Sequence, residues 1–418
     1  MAVPVVGEPV AGSERWTLRA FAVVALCFAI NMADGIDVTI LSFIAPRLQS
    51  EWAIASDTMG TLFSAGLIGM AIGGMLIAPL ADRLGRRPII LTALCLMSLG
   101  MIASGFVTSV TQLFVLRVIV GSGIGTVLAA MAALAAESAP PNHRNLAVGL
   151  VQAGYPFAAV FTGLAVAHLL PIYGWEMLLV GAGFITVVLF PAAWLLLPER
   201  DANVPVNHSA GKVSALFRPA LWRRTVYLWG AVFFGLMVLY FIVSWIPKLS
   251  IEAGLSETNG IYAGAVYNFG AFIGTVMMSV LAVRIPLGKL VPIMLSGAAV
   301  AMLAFGALSM SVGMTLFVAF LIGVLLQGGY NGVWPLAASA YPPEVRATGI
   351  GWAIGVGRSG AVIGPTMGGY LMVAKVPLFG LFLVYGFPLL LCALCALLVH
   401  RNAARAAGPS SGVRVAEI

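Results

Sequence analysis

The sequence predicts an all-α integral membrane protein with twelve transmembrane helices in two pseudo-symmetric six-helix bundles. Its 418 residues are 61% hydrophobic and only 9% charged, which lies outside the range of soluble globular domains. A spanning helix needs about 20 apolar residues, so the chain has room for roughly a dozen spans. The apolar runs are continuous and not alternating, which argues against a transmembrane β-barrel. The second half of the chain also repeats motifs of the first half.

A polar connection divides the apolar runs into two sets of six. It predicts a linker at 198–223 between an N-terminal bundle at 1–197 and a C-terminal bundle at 224–400, with a tail at 401–418. We expect spans near 17–46, 57–81, 88–107, 111–136, 145–170, 175–197, 224–248, 259–283, 290–309, 313–340, 347–373 and 376–399.

The lysine and arginine residues predict the orientation. Most of the 22 fall on the side of the N-terminus, whereas only Arg47, Lys248 and Lys375 fall on the other side. Loops rich in these residues stay in the cytoplasm. We therefore expect a multi-pass protein of the cytoplasmic (inner) membrane with both termini cytoplasmic, and we attribute the net charge of +7 to topology and not to a nucleic-acid partner.

The internal repeat has an offset of 202 residues. The segment 140–144, which ends in Arg144, precedes span 5, and the similar segment 342–346, which ends in Arg346, precedes span 11. Gly149 matches Gly351 at the same offset. Repeats of this kind build secondary transporters, whose substrate site lies between the halves near the membrane midplane.

Two carboxylates interrupt the first span, in the tetrad 34–37. Asp34 and Asp37 are three residues apart, so they share a helix face. A charged side chain near the bilayer centre costs roughly 2.5–3.5 kcal/mol, so this face should look into protein or water. The pair is either a proton or substrate site or a buried hydrogen-bonded brace between helices.

The loop after span 2 carries a specific motif. Residues 78–87 resemble the signature loop of the major facilitator superfamily, G-x-x-x-D-R-x-G-R-R, with Ala78 in place of the first glycine. The resemblance implies the major facilitator fold and a gating role for the loop. A purely topogenic loop is the alternative, although topology alone does not need the aspartate. The implied gating residues are Asp82, Arg83, Gly85, Arg86 and Arg87.

Span 4 is similar to the same superfamily in its arginine, Arg117, followed by spaced glycines, which allow close helix packing. It ends at Glu137, and we expect Glu137 to pair with Arg144 across the next loop as a further gate. Arg346 is assigned to the gate of the second half. Span 5 lacks the G-P-x-x-G-G run of superfamily antiporters, which favours symport or uniport.

The span 1 tetrad followed by Ala45-Pro46, together with the glycine-rich span 11 around Arg358, resembles the aromatic acid:proton symporter family. The resemblance follows the whole chain in span order. It implies inward movement of a benzoate-like carboxylate together with protons.

The rise of 1.5 Å per residue places Asp34, Arg117 and Arg358 at a similar depth, about 20 Å from the inner face. Arg358 is the candidate for binding the substrate carboxylate, since a guanidinium matches it with two hydrogen bonds; a structural ion pair is the alternative. Asp34, Asp37 and Arg117 are the proton-coupling candidates. Two nearby carboxylates disfavour double ionisation, and Arg117 would favour the ionised form when close.

Ring stacking and hydrogen bonds to a ring hydroxyl call for aromatic and amide side chains within spans. Such residues often face lipid or join helices instead. The substrate-binding candidates are Tyr155, Trp334, Gln152, Asn268, Gln327 and Asn331, and further aromatic candidates are Phe157, Tyr240, Trp245, Tyr267, Phe269, Tyr330 and Trp352.

We expect a monomer in the lipid bilayer whose partners are a small aromatic carboxylate and protons. No enzyme activity, cofactor or metal is expected: the C-x-x-C pair at 392–395 has no histidine or second cysteine pair near it in sequence. The sequence holds no G-x-x-x-x-G-K-[ST] phosphate loop, so transport should use ion gradients. Three alternatives remain: symport of a non-aromatic organic acid, proton-coupled drug efflux, and a non-transporting membrane sensor.

Overall fold

The computed structural model describes residues 16–140, 143–197, 213–219 and 221–407, and these residues are almost entirely helical. Most of the predicted linker and the end of the predicted tail lie outside the described residues. The helices are α1 (Leu18–Trp52), α2 (Ser56–Ile72), α3 (Leu80–Leu84), α4 (Arg86–Ser104), α5 (Val110–Ser138), α6 (Arg144–Leu196), α7 (Trp222–Glu252), α8 (Glu257–Leu281), α9 (Leu287–Ala307), α10 (Val312–Asn331), α11 (Val333–Ala340), α12 (Pro343–Val373) and α13 (Leu378–Ala407).

Within the described residues, 10 helical stretches are long and apolar enough to cross a membrane. One of them is α6, which supplies two spans. Its first limb, 144–173, lies against α1, where Gly154 approaches the backbone of Phe28. Its second limb, 175–196, returns along α4, with Arg87 over the Trp194 ring. The chain reverses at Gly174, whose φ of 74° suits glycine.

The remaining span is α12, which is less apolar because it carries many glycines and Arg358. The fold is therefore the predicted set of twelve transmembrane helices in two six-helix bundles.

Several span boundaries differ from the prediction, among them the end of α13, which continues to Ala407 beyond the predicted 399. Helix α1 does not end near Pro46 but continues to Trp52, and Ala53 caps it in a left-handed conformation. Proline removes one backbone donor but does not have to end a helix that is held by its neighbours. The predicted span 313–340 is divided at Gly332 into α10 and α11.

Close helix pairs repeat in the two bundles. In the first bundle, a methyl group added at Gly121 of α5 would overlap the carbonyl of Gly66 in α2. In the second, a methyl group at Gly323 of α10 would overlap the carbonyl of Tyr267 in α8. Spans 2 and 4 therefore pack like spans 8 and 10. Small residues let membrane helices approach this closely, so the internal repeat is visible in the packing.

We call the side that carries Arg86, Arg87, Arg144 and Arg346 the basic side, and the other side, which carries Glu51 and Glu257, the opposite side. The two bundles meet toward the opposite side.

Three hydroxyl side chains join the bundles there. The Ser42 hydroxyl lies 2.8 Å from the carbonyl oxygens of Val243 and Ser244, and the Ser64 hydroxyl lies 2.6 Å from the carbonyl of Val362 and 2.7 Å from the Thr366 hydroxyl. We call Ser42, Ser64 and Thr366 with these carbonyls the clasp.

The basic side differs. Gly351 and Gly355, on α12 between Arg358 and the basic side, have open space around them. The clasp contacts therefore close the interface between the bundles toward the opposite side.

Candidate substrate and proton site

Helix α1 carries both candidate carboxylates into the interior. Asp34 is 3% exposed and Asp37 is 1% exposed. The helix is held closely here, because a side chain at Gly35 would overlap the backbone of Tyr155 in α6. Among the described residues, neither carboxylate has an ion-pair partner within 4 Å. The predicted burial of the tetrad is confirmed.

Arg117 of α5 is also buried, with 3% exposure. Its Nη1 donates to the main-chain oxygen of Asp37 at 3.4 Å, and its Nη2 donates to Ser104 at 3.2 Å. Arg117 is thus fixed by the backbone of α1 and by α4. It lies close enough to the Asp37 carboxylate to interact with it electrostatically, although the two do not form a direct ion pair, and its role in proton coupling stays a prediction.

Arg358 extends from α12 toward the first bundle. Its Nη1 lies 3.5 Å from the Tyr240 hydroxyl and 3.8 Å from the Met70 sulfur. It interacts electrostatically with Asp34. Asp34, Asp37, Arg117 and Arg358 therefore form one group of charges, and the sequence predicts a shared depth for Asp34, Arg117 and Arg358.

Tyrosine side chains surround this group. Tyr155 and Tyr240 both interact with Asp34, and Tyr330 interacts with Tyr240 and Arg358. Tyr267 is buried and interacts with Tyr155. Sequence reasoning named Tyr240 only as a possible stacking ring; its contact with Arg358 depends on the packing of α7 against α12, which no local pattern reveals.

The amide candidates fall into two small networks. In the first bundle, Asn31 donates to Gln152 at 3.2 Å. In the second, Gln327 donates to Asn331 at 3.2 Å, and Asn331 donates to Thr275 at 2.8 Å.

The other candidates lie differently. Asn268 is buried and donates to the Gly264 carbonyl of its own helix at 2.9 Å. Trp334 is half-buried and packs edge-on against Tyr330 at 5.9 Å between ring centroids. Phe157, Phe269 and Trp352 are the most exposed of the aromatic candidates, which fits contact with lipid or solvent better than with a substrate.

The gate differs from the prediction in one pairing. Glu137 forms its ion pair with Arg86, by two hydrogen bonds, and not with Arg144 across the loop. The loop before Arg144 is short, but α4 begins beside the end of α5, and this brings Arg86 closer. Gly85 has a φ of 97°, which favours glycine.

The remaining gate candidates divide into two groups. The side chains of Asp82 and Arg83 lie outside the described residues. Arg144 and Arg346 are exposed on the basic side, where Arg346 donates to the Tyr341 carbonyl at 3.4 Å.

This arrangement offers an anion site and groups that exchange protons. Arg358 is a cation beside hydroxyl groups and aromatic rings, which are partners for a carboxylate on a ring. The buried carboxylates lack direct ionic partners, and a proton removes a charge that is costly to enclose. Within the described residues, no cluster of three or more histidine, cysteine or acidic side chains is placed to hold a metal.

Comparison with known proteins gives a consistent result. The profile of the Major Facilitator Superfamily matches residues 27–365. The gallate transporter of Pseudomonas putida is 29% identical over 93% of this chain and 93% of its own length. The 4-hydroxybenzoate transporter PcaK of Pseudomonas aeruginosa is 30% identical over 84% of this chain and 86% of its own. These relatives are of the kind that the resemblance to aromatic acid:proton symporters predicts.

The fold is likewise matched by a solved structure. A D-xylose-proton symporter, 17% identical, superposes with a TM-score of 0.74 over 90% of this chain and 97% of that chain. The similarity shows a common fold. Together with the match over residues 27–365, it identifies this chain as a multi-pass membrane protein that belongs to the Major Facilitator Superfamily.

Proposed function

We propose that this protein imports an aromatic carboxylate together with protons by alternating access. The observation that carries the proposal is a mid-membrane arginine, Arg358, that contacts a tyrosine hydroxyl and has no carboxylate within 4 Å among the described residues. The relatives named for gallate and 4-hydroxybenzoate support this substrate class.

Arg358 is the proposed carboxylate-binding residue. A guanidinium holds a carboxylate through two parallel hydrogen bonds, and such charge-assisted bonds are roughly twice as strong as neutral ones. The Tyr240 hydroxyl, 3.5 Å from Arg358, limits where the carboxylate can lie. Tyr155, Trp334 and the amides Gln152, Asn268, Gln327 and Asn331 are proposed to line the space for the ring and its hydroxyl groups.

The two networks of amides lie on different bundles, Asn31 with Gln152 on the first and Gln327 with Asn331 on the second. A ring hydroxyl between them has donors and acceptors on both sides. This favours a hydroxylated ring over an aliphatic chain, whose apolar carbons offer these amides no hydrogen bond.

Proton coupling is assigned to Asp34, Asp37 and Arg117, since they are buried and ionisable within the spans. The sequence has no phosphate loop for ATP, so an ion gradient is the proposed energy source. The basic side is proposed to face the cytoplasm, in an inner membrane and with a monomeric transport unit divided at the predicted linker. Its gate is proposed to comprise Asp82, Arg83, Gly85, Arg86, Arg87, Glu137, Arg144 and Arg346.

The test is uptake into proteoliposomes under an imposed inward proton gradient. The panel contains 4-hydroxybenzoate, gallate, a phenylpropanoate and an aliphatic dicarboxylate of similar size. We expect an aromatic acid to accumulate and a protonophore to abolish that accumulation. Accumulation of the aliphatic acid alone would discard the aromatic site, and gradient-driven loss of substrate from the vesicles would make the protein an exporter.

A further inference from the structure

Asp37 lines a small cavity that Arg358 does not line. The cavity has a volume of about 40 Å³ and lies between α1, α2, α5 and α7. Its polar wall consists of Asp37, Arg117, Tyr240 and Ser244, and the rest is apolar apart from glycine. A water molecule needs about 10–15 Å³ and polar partners, so the cavity has room for two or three waters beside Asp37.

Three polar atoms of the lining residues have no hydrogen-bond partner among the described residues. Both carboxyl oxygens of Asp37 and the Nε of Arg117 are buried without a hydrogen bond among the described residues. Arg117 cannot easily turn away, since its two Nη atoms are held by the Asp37 backbone and by Ser104. Buried polar groups are nearly always hydrogen-bonded in native proteins, so bound water between the two charges is the arrangement that satisfies both.

Asp34 has different neighbours from Asp37. Its charge interacts with Arg358, and it is a neighbour of Tyr155 and Tyr240. Neither Asp34 nor Arg358 is among the residues that line the cavity of Asp37. The two carboxylates of the tetrad therefore face different surroundings, although only three residues separate them.

Tyr240 is a neighbour of both Arg358 and Asp37. Its hydroxyl contacts Nη1 of Arg358 at 3.5 Å, and its side chain lines the cavity with Asp37 and Arg117. Met70, 3.8 Å from the same Nη1, also lines the cavity, but Tyr240 is the polar contact through which a change at Arg358 can reach Asp37 without any movement of a bundle.

We propose that the two carboxylates have separate tasks: Asp37 carries the transported proton in a hydrated cavity with Arg117, Asp34 completes the substrate site with Arg358, and Tyr240 is the positioning residue that couples the two. The proposal rests on the proposed function and assigns each of the two carboxylates a different role in it. Asp37 accepts a proton from water when the opposite side is open and returns it to water when the basic side is open. Substrate on Arg358 frees the Tyr240 hydroxyl to bond within the cavity.

The charged and titratable groups around Asp37 are Arg117 from α5, Tyr240 from α7 and Asp34 on its own helix. Arg358 from α12 and Tyr155 from α6 are neighbours of Asp34, and Tyr267 from α8 is a neighbour of Tyr155. Protonation of Asp37 removes a negative charge that faces Arg117 across the cavity. The pH dependence of transport should therefore depend on Asp37, while substrate affinity should depend on Asp34.

The experiment compares Asp34→Asn, Asp37→Asn and Tyr240→Phe in reconstituted full-length protein. Three quantities are measured with 4-hydroxybenzoate: equilibrium binding, counterflow exchange without a gradient, and accumulation under a proton gradient. Glu176→Gln, an exposed carboxylate in the second limb of α6, is the charge-removal control. Monodisperse elution and the charge-retaining variant Asp34→Glu distinguish loss of affinity from misfolding.

We expect Asp37→Asn to keep binding and counterflow within about threefold, to lose accumulation and to flatten the pH profile of counterflow. Asp34→Asn should change the substrate affinity at least about tenfold, with partial restoration in Asp34→Glu. Tyr240→Phe should bind substrate but accumulate less of it for the same gradient, because the shared hydroxyl is gone.

Equal loss of counterflow in both aspartate variants would place the carboxylates in one site and overturn the division. Normal accumulation by Asp37→Asn would show that Asp37 does not carry the transported proton. Absence of gradient-driven uptake in the unaltered protein would instead overturn the proposed function itself, so the two failures are distinguishable.

Discussion

Arg358 is held by weak partners. A hydroxyl at 3.5 Å and a thioether at 3.8 Å contact its Nη1, and no carboxylate lies within 4 Å of it among the described residues. A charged side chain near the bilayer centre costs roughly 2.5–3.5 kcal/mol, which these contacts offset only in part. Such a residue gains most from an anionic ligand, and this is why we assign the substrate carboxylate to it.

The change Arg358→Lys tests this assignment at the residue scale. Lysine keeps the charge but loses the planar pair of donors, so we expect the KM for 4-hydroxybenzoate to rise about 10–100-fold, the range of a lost charge-assisted bond. Initial rates of counterflow against concentration measure it. Arg401→Lys, on the exposed end of α13, is the matched control and should stay near the unaltered value. An unchanged KM in Arg358→Lys would show that the guanidinium geometry is irrelevant.

The sequence allowed the charged part of the site to be predicted, but not its neighbours. Asp34, Asp37, Arg117 and Arg358 stand out because ionisable residues are rare within apolar runs. Tyr240 does not stand out, since a tyrosine in a span is common. Which tyrosine reaches Arg358, and which space Asp37 faces, follow from helix rotation in the folded bundle.

The close approach of neighbouring helices depends on glycine residues at their contacts. Gly121 of α5 lies so close to Gly66 of α2 that an added methyl group would overlap its carbonyl. Gly125 approaches the Met70 carbonyl in the same way, and Gly73 approaches the Ser122 carbonyl. The glycine pattern in span 4 predicts close packing, and this prediction is confirmed. The sequence did not predict which helix is the neighbour.

We expect Gly121→Ala to destabilise the protein by about 1–3 kcal/mol, the usual range for overpacking. The atoms that the added methyl group would meet are all backbone atoms of Gly66, so no side chain can turn away. The midpoint of thermal unfolding of the detergent-purified protein measures the loss. Gly181→Ala, in the second limb of α6, is the control because Gly181 has open space around it. Equal midpoints for the two variants would mean that α2 and α5 separate without cost.

The interface between α1 and α8 includes an ion pair that the sequence did not indicate. The Nε of Arg47 lies 2.7 Å from Oε1 of Glu51 on its own helix, and its Nη1 lies 3.9 Å from Oε2 of Glu257 on the other bundle. These side chains are about two-fifths exposed, 45% for Arg47 and 41% for Glu257. Exposed pairs contribute about 0–1 kcal/mol, too little to hold two bundles together.

The change Glu257→Gln should therefore alter counterflow less than about fivefold, the equivalent of about 1 kcal/mol. High salt should reduce the difference further, since it screens exposed charges. Counterflow at low and high ionic strength measures both effects. A loss far above this range, at either salt concentration, would make the Arg47–Glu257 pair the main lock of the opposite side.

For the whole molecule, the bundles join through backbone and hydroxyl contacts on the opposite side. Gly60 packs on the backbone of Pro365 and Gly369 on that of Ser56, and both contacts lie between the Ser64–Thr366 contact of the clasp and the opposite side. The internal repeat predicts two bundles that move as units about a central site. It does not predict which side is closed, because that depends on small differences between two packings of the same helices.

Alternating access requires the clasp to open, and a covalent bond across it tests this requirement. The Ser64 and Thr366 hydroxyls are 2.7 Å apart, so cysteines at both positions are within reach of a disulfide. The protein background replaces Cys27, Cys95, Cys392 and Cys395 with alanine, which leaves the new pair as the only thiols. Oxidation should then abolish uptake of 4-hydroxybenzoate, and a reductant should restore it.

The two single-cysteine variants are the matched controls and should transport equally with and without oxidant. Substrate binding should survive in the cross-linked protein, since Arg358 lies beyond the clasp toward the basic side and the space around Gly351 stays open. Retained binding with lost transport distinguishes a locked conformation from a damaged site. Undiminished transport by a fully cross-linked protein would mean that the bundles do not separate at Ser64 and Thr366, and that substrate takes another path through the molecule.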